Sequence, residues 1–152
     1  MDFPLITIIV PAYNEEKYLS ETISSLRKQD YPNFELVFID NASGDGSEDF
    51  VRKNFPNVRV IQTGKNMGFA GGHNVGIRET DGEFILILNP DVVLRPDYLR
   101  LAIEPMLQDE KIAGVQGKLL RPSVSPIQHS NILEITLNSI ENTSKPKKCR
   151  RC

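Results

Sequence analysis

The feature that most constrains the fold is a regular alternation of short apolar runs with amphipathic segments. The apolar runs are rich in β-branched residues and lie at 5–10, 34–40, 58–62, 84–88 and 112–117. Their lengths suit strands rather than helices. Because the run at 84–88 is apolar without interruption and the others are largely apolar, they are predicted to be strands buried on both faces of a sheet.

Four helical segments are predicted between these runs. The first has Glu15 and Glu16 in its first turn and Arg27 and Lys28 in its last, and the others lie near residues 47–54, 69–79 and 97–108. In that first segment, Leu19, Ile23 and Leu26 recur on one helical face. Pro105 lies inside the last segment, where it is expected to kink or end the helix. Strand–helix alternation of this kind indicates an α/β fold with a mostly parallel sheet and helices on both faces. Ligands of such sheets bind beyond the carboxyl ends of the strands.

Composition and charge narrow the class of protein. The 152 residues are 39% hydrophobic and 25% charged, with a net charge of −2. Five basic side chains fall in the last eight residues, so the remainder is acidic and does not resemble a nucleic-acid-binding protein. Residues 1–121 are expected to form one domain, and residues 122–152 an incomplete continuation with a basic, disordered tail.

The expected location is the cytoplasm, with peripheral contact to the inner face of a membrane through the basic tail. No apolar run approaches the roughly 18–20 residues that span a bilayer. The N-terminal segment is interpreted as a first strand rather than a signal peptide. The two cysteines, Cys149 and Cys152, lie near the C-terminus and cannot cross-link the core.

Carboxylates and glycines follow the predicted strands. Asp40 and Asp91 each stand at or just after the end of an apolar run. Either one alone suits a turn, but two at the same edge favour a cation or a donor-rich ligand between them. Four glycines lie in or beside the third helix, where an interior glycine costs about 1 kcal/mol relative to alanine. They indicate close approach either by a ligand or by the sheet; the residues are Gly68, Gly71, Gly72 and Gly76. His73, in the same helix, is expected at its surface.

Four motifs in order, "TIIVPAYNEEKYLSETISSLRKQ", "FIDNASGDGS", "NMGFAGGHNVGI" and "ILILNPDVVLRPDYL", resemble family 2 glycosyltransferases of the GT-A fold. The closest similarity is to the rhamnosyltransferase-like branch, and it covers about residues 5–120. The resemblance implies a nucleotide-diphosphate sugar as donor and a glycan or lipid-linked acceptor. It implies that Asp40 contacts the base and that Asp91 holds a divalent metal, Mn²⁺ or Mg²⁺. Asn89 replaces the first acid of the family's Asp-x-Asp motif.

The resemblance implies a set of substrate-binding residues that lie after successive strands. They are Pro11, Ala12, Tyr13, Asn14, Glu15, Asp40, Asn41, Asn66, Gly68, Asn74, Asn89 and Asp91.

One departure from the family pattern concerns catalysis. Relatives continue with an acceptor-side half that contains a "GGFDE"-like stretch and a Glu-Asp pair supplying the general base. No matching residues follow Ile132. No catalytic residue is therefore assigned, and the chain is expected to be a truncated, donor-binding half.

Three functions are open from the sequence. The first is an inverting glycosyltransferase, with rhamnose as one candidate sugar. The second is a nucleotide-sugar binding module without turnover. A nucleotidyltransferase ranks lowest, because "PAYNEE" is acidic and lacks glycine where such enzymes carry a glycine-rich basic loop.

Overall fold

The computed structural model describes residues 3–120 and 131–135. In this part of the chain the elements are, in order, β1 (Ile6–Ala12), α1 (Glu16–Leu26), β2 (Phe34–Asp40), α2 (Ser47–Asn54), β3 (Arg59–Gln62), α3 (Gly68–Arg78), β4 (Phe84–Ile87), β5 (Val92–Leu94), α4 (Tyr98–Gln108), β6 (Gly117–Leu120) and β7 (Asn131–Ile135). The predicted first four strands and all four helices are present within a few residues of their expected positions.

The main sheet is parallel and has the order β3-β2-β1-β4. Strand β1 is central, and all seven of its residues are buried. Its register pairs Ile6 with Phe34 on one side and with Phe84 on the other. The predicted α/β class with a mostly parallel sheet is confirmed.

Two cores lie on opposite faces of this sheet, because successive strand residues point to opposite faces. The larger core contains Ile8, Val10 and Phe38, together with buried side chains of α1, α2 and α4. The smaller core contains Ile9, Val37 and Ile39. Helix α3 contacts β1 and β2, and Gly76 places it directly against Ile9. Helices therefore lie on both faces, as predicted.

Two of the glycines in α3 serve close packing on the sheet. A Cβ atom at Gly76 would lie 2.5 Å from Cγ2 of Ile9, and one at Gly72 would lie 2.9 Å from Cβ of Pro11. Both separations are too short for real side chains. Of the two explanations open from the sequence, close approach of the sheet accounts for Gly72 and Gly76.

Three local predictions differ from the structure. The strand expected at 112–117 begins only at Gly117, because the Ile112 amide closes a turn with the Asp109 carbonyl and residues 113–116 form neither helix nor strand. Helix α4 continues three residues past Pro105 to Gln108. Strand β4 is not buried on both faces, since Ile85 and Ile87 are 41% and 51% exposed.

A second, three-stranded sheet has the order β5-β7-β6. Strand β7 pairs in parallel with β5 and antiparallel with β6. Strand β7 falls within residues 122–152, for which the sequence predicted an incomplete continuation. No helix in the described residues is long and apolar enough to cross a membrane. The basic tail at 145–152 lies outside the described residues.

Candidate functional site

The loops that follow the first four strands meet at the carboxyl edge of the main sheet. We call this region the rim; it comprises residues 11–16, 40–47, 63–68 and 88–91. Register pairs Ala12 with Asp40 and Asp40 with Gln62, and the Asn41 amide donates to the Ala12 carbonyl at 2.9 Å. The strand-end residues predicted from the sequence are therefore gathered at one edge.

The β1 loop is attached to the β2 loop through Asn14. Its backbone is left-handed, with φ 59°, a conformation that asparagine tolerates better than most residues. The Asn14 amide donates to Oγ of Ser43 at 3.1 Å, and its side-chain oxygen accepts from the Gly44 amide at 2.7 Å. The neighbouring Tyr13 ring is 47% exposed and stands free to contact a ligand.

Asp45 connects the beginnings of α1 and α2. One carboxylate oxygen accepts from the Glu16 amide at 3.0 Å, and the other accepts from the Ser47 amide at 3.0 Å. Partial burial acts to raise the pKa of Asp45, but hydrogen bonds from the Ser47 hydroxyl and from these amides outweigh it and lower that pKa. The carboxylate thus satisfies an amide at the start of each of the two helices.

Asp40 and Asn41 end β2 and are buried, at 3% and 4% exposure. Asp40 Oδ1 accepts from the Ser43 amide at 3.2 Å. Asn41 Oδ1 accepts from the Met67 amide at 2.9 Å, and its Nδ2 donates to Asn66 Oδ1 at 3.1 Å and to the Gly68 carbonyl at 3.2 Å. Both ends of the Asn41 amide group therefore hold the segment that leads into α3.

The start of α3 presents the remaining predicted residues. Asn66 Oδ1 accepts from the Gly68 amide at 2.8 Å, and Gly68 has a left-handed φ of 70°. Asn74 is exposed five residues beyond Phe69, which is itself 64% exposed. Asn66, Gly68 and Phe69 thus form an accessible border of the rim.

The expectation that His73 lies on the helix surface is wrong, because its side chain is only 3% exposed. Nδ1 lies 3.0 Å from the Phe69 carbonyl, and Nε2 has no hydrogen-bond partner among the described residues. Burial lowers the pKa of His73, although the Phe69 carbonyl acts in the opposite direction. The buried imidazole packs against the Phe69 ring within the same helix, with 4.4 Å between the ring centroids.

Glu15 and Asp91 bring negative charge together. Asp91 is partly buried just after β4. Burial first, and then the charge of Asp91, raise the pKa of Glu15; Lys17 opposes them and Asp45 adds to them. Mutual repulsion of two carboxylates is relieved by a cation.

The rim suits a metal ion for which the protein supplies only part of the coordination shell. In the described part of the chain no three His, Cys, Asp or Glu side chains form a metal-binding group. Mg²⁺ and similar hard cations are commonly held by one or two carboxylates, with water and phosphate oxygens completing the shell. Asp91, beside Glu15, matches that requirement.

Sequence reasoning missed a row of polar side chains that begins on α1 and ends at Gln29, three residues past the helix. Thr22, Ser25 and Gln29 all make hydrogen bonds to the segment between β4 and α4. Thr22 is fully buried and Ser25 is 5% exposed. The available signal was their position beside the apolar stripe of Leu19, Ile23 and Leu26, which places both on the inward side of the helix.

A parallel α/β sheet with amides and carboxylates gathered at its carboxyl rim defines a class of nucleotide-binding folds. The chain belongs to glycosyl transferase family 2, whose family model matches residues 7–149. Among curated relatives, it is 38% identical over 123 residues to poly(ribitol-phosphate) β-N-acetylglucosaminyltransferase TarS of Staphylococcus aureus, covering 74% of this chain and 22% of TarS. An uncharacterized glycosyltransferase of Haemophilus influenzae is 35% identical over 115 residues, covering 74% of this chain and 46% of the relative.

Solved structures show the same fold. Residues 1–349 of Staphylococcus aureus TarS in complex with UDP match with a TM-score of 0.67 and 32% identity, over 80% of this chain and 38% of that one. The mannosyltransferase PcManGT from Pyrobaculum calidifontis, in complex with GDP-Man and Mn²⁺, matches with a TM-score of 0.72 and 28% identity, over 78% of this chain and 36% of that one. The GT-A fold is thereby confirmed. The chain spans less than half the length of each of these relatives.

Proposed function

We propose that this chain is the donor-binding part of a glycosyltransferase that uses a nucleotide-diphosphate sugar. The observation that carries the proposal is the placement of Asp91, partly exposed at the rim of a family 2 fold, where its negative charge acts on Glu15 and raises the pKa of that side chain. Structures of two relatives, which contain UDP in one case and GDP-Man with Mn²⁺ in the other, support this class of ligand.

The proposed roles follow from the chemistry of each group. Asp91 holds Mn²⁺ or Mg²⁺, which when bound neutralises negative charge on the diphosphate leaving group. The buried carboxylate of Asp40 accepts a hydrogen bond from an N–H of the base, and the exposed ring of Tyr13 lies along the nucleotide. Asn41 acts indirectly, because its amide group is engaged by the segment that leads into α3.

The remaining predicted binding residues divide between support and contact. Asn14 fixes the β1 loop, so that Pro11, Ala12 and Glu15 border the donor. Asn66 and Gly68 shape the entry to α3, where the exposed Asn74 faces the donor sugar. Asn89 precedes Asp91 and is exposed, so we propose that its amide group donates to a phosphate oxygen.

Several finer points belong to the same proposal. Rhamnose as the sugar and inversion at its anomeric carbon rest on the motif resemblance alone. The acceptor is a glycan or a lipid-linked glycan, and the general base lies outside the residues assigned here. We also propose that the donor-binding domain ends near residue 121 and that the protein is located in the cytoplasm. The basic tail then contacts an anionic membrane.

Calorimetric titration with UDP, GDP and dTDP, each with and without Mn²⁺, tests the donor site. We expect one nucleotide to bind substantially more tightly when Mn²⁺ is present, and its identity names the base. Preferential binding of dTDP would support a rhamnose donor. Absence of binding by all three to a folded sample would refute the donor-site proposal.

The alternative is a binding module without turnover. This alternative is kept because no general base is assigned among the described residues. Incubation with the matching nucleotide sugar separates the alternatives, because transfer or hydrolysis releases the nucleoside diphosphate, whereas a pure binding module returns the donor unchanged.

A further inference from the structure

The polar row formed by Thr22 and Ser25 of α1 and by Gln29 just beyond it holds the segment that carries Asp91. The Thr22 hydroxyl donates to the Pro90 carbonyl at 2.7 Å. Ser25 Oγ accepts from the Leu94 amide at 3.1 Å, and Gln29 Nε2 donates to the Arg95 carbonyl at 2.7 Å. Each side chain in the row thus contacts a successive part of the same segment.

Thr22 differs from the other two in what it fixes. The Pro90 carbonyl belongs to the same planar peptide unit as the Asp91 nitrogen. A second hydrogen bond, from the Val92 amide to the Asn89 carbonyl at 3.3 Å, closes the turn around that peptide. The proline ring also restricts φ at residue 90, so that fewer backbone angles are free to reorient the Pro90–Asp91 peptide.

The direction of the Thr22 hydroxyl is informative. A threonine inside a helix commonly donates to the carbonyl four residues earlier in its own helix. Thr22, whose own surface is fully buried, instead donates across to Pro90, 68 residues later in the chain. Without this donor the Pro90 carbonyl would lose its partner in a partly buried place, and the turn that carries Asp91 would shift.

We infer that Thr22 is a positioning residue that aims the Asp91 carboxylate at the cation of the donor complex. The inference rests on the proposed function and deepens it. Thr22 acts through the position of Asp91 and makes no contact with the donor itself. Residues that orient a metal ligand typically change metal affinity by about 10- to 100-fold when replaced. The expected signature is therefore a loss confined to the metal-dependent part of nucleotide binding.

The test compares Thr22→Val, which removes the hydroxyl at nearly constant volume, with Thr22→Ser, which retains it. Thr80→Val is the matched control, because the Thr80 hydroxyl also donates to a backbone carbonyl, that of Gly76 at 2.8 Å, beyond the far end of α3. Affinity for the nucleoside diphosphate is measured by calorimetry with Mn²⁺ and with EDTA, well below each melting temperature. We expect Thr22→Val to lower the Mn²⁺-dependent gain in affinity about tenfold. The affinity of Thr22→Val in EDTA should match that of the wild type. Thr22→Ser and Thr80→Val should match the wild type both with Mn²⁺ and with EDTA.

Two outcomes would overturn the inference while the proposed function stands. One is an unchanged Mn²⁺-dependent gain in Thr22→Val, and the other is an equal loss with Mn²⁺ and with EDTA, which is the mark of a general structural defect. If the wild type binds no nucleotide, the proposed function fails and the inference fails with it. Should Thr22→Val not fold, Thr22→Ala removes the same hydroxyl and takes its place in the comparison.

Discussion

Replacement of Phe38 by alanine is expected to lower the free energy of unfolding by about 3–5 kcal/mol, as is typical for deleting a buried aromatic ring. Phe38 lies in the centre of β2, opposite Val10 in the register, and none of its surface is exposed. Its ring belongs to the larger core, so removal leaves a cavity that the β-sheet backbone cannot close. Urea denaturation followed by circular dichroism measures the change.

Phe69→Ala is the matched control, because the same side chain is lost from a position that is 64% exposed. Its effect should stay within about 1 kcal/mol, as expected for surface substitutions away from the core. Equal losses in the two variants would contradict the assignment of Phe38 to the core.

Asp91→Asn is expected to weaken Mn²⁺-dependent nucleotide binding by roughly 10- to 100-fold, since a charge-assisted contact contributes about 1.5–3 kcal/mol. The asparagine keeps the shape of the side chain and removes its charge, so that the turn after β4 is preserved. Binding in EDTA should change little, or strengthen slightly because repulsion between Asp91 and the diphosphate is removed. Calorimetry on the wild type and the variant gives both values.

Glu83→Gln controls for the loss of one negative charge. Glu83 is exposed and immediately precedes β4, at the opposite edge of the sheet from the rim. Its replacement should leave binding unchanged. If Asp91→Asn retained the full effect of Mn²⁺, the assignment of the metal to Asp91 would be wrong.

Periodicity accounted for much of the fold because the core is built from local patterns. Leu19, Ile23 and Leu26 repeat at helical spacing and are all buried in α1. The strand at 112–117 was misplaced because a hydrogen-bonded turn at Asp109 preceded the pairing of β6 with β7, and pairing partners are not visible in a local window. His73 was placed at the surface because its polarity outweighed its position one residue from Gly72 on the sheet-facing side.

For the site, strand ends indicated which residues meet but not how they are connected. The register of β1 with β2 brings Ala12 beside Asp40, which follows from parallel pairing alone. The engagement of Asn41 by the segment leading into α3, and of Pro90 by Thr22, joins residues that are 25 to 68 positions apart. Such contacts depend on how α1 and α3 pack on the sheet. A single sequence carries no direct signal for them.

The central claim, that the rim binds the nucleotide, is tested most directly by amide chemical shifts in a ¹⁵N-labelled sample. The nucleotide selected by calorimetry is added with Mg²⁺, which avoids the paramagnetic broadening of Mn²⁺. We predict saturable shifts for the amides of Tyr13, Asn41, Asn66 and Asp91. Amides at the opposite edge of the sheet, such as Asn33 and Glu83, should not move. Shifts confined to that opposite edge, or no shifts at saturating nucleotide, would contradict the assignment of the rim as the donor site.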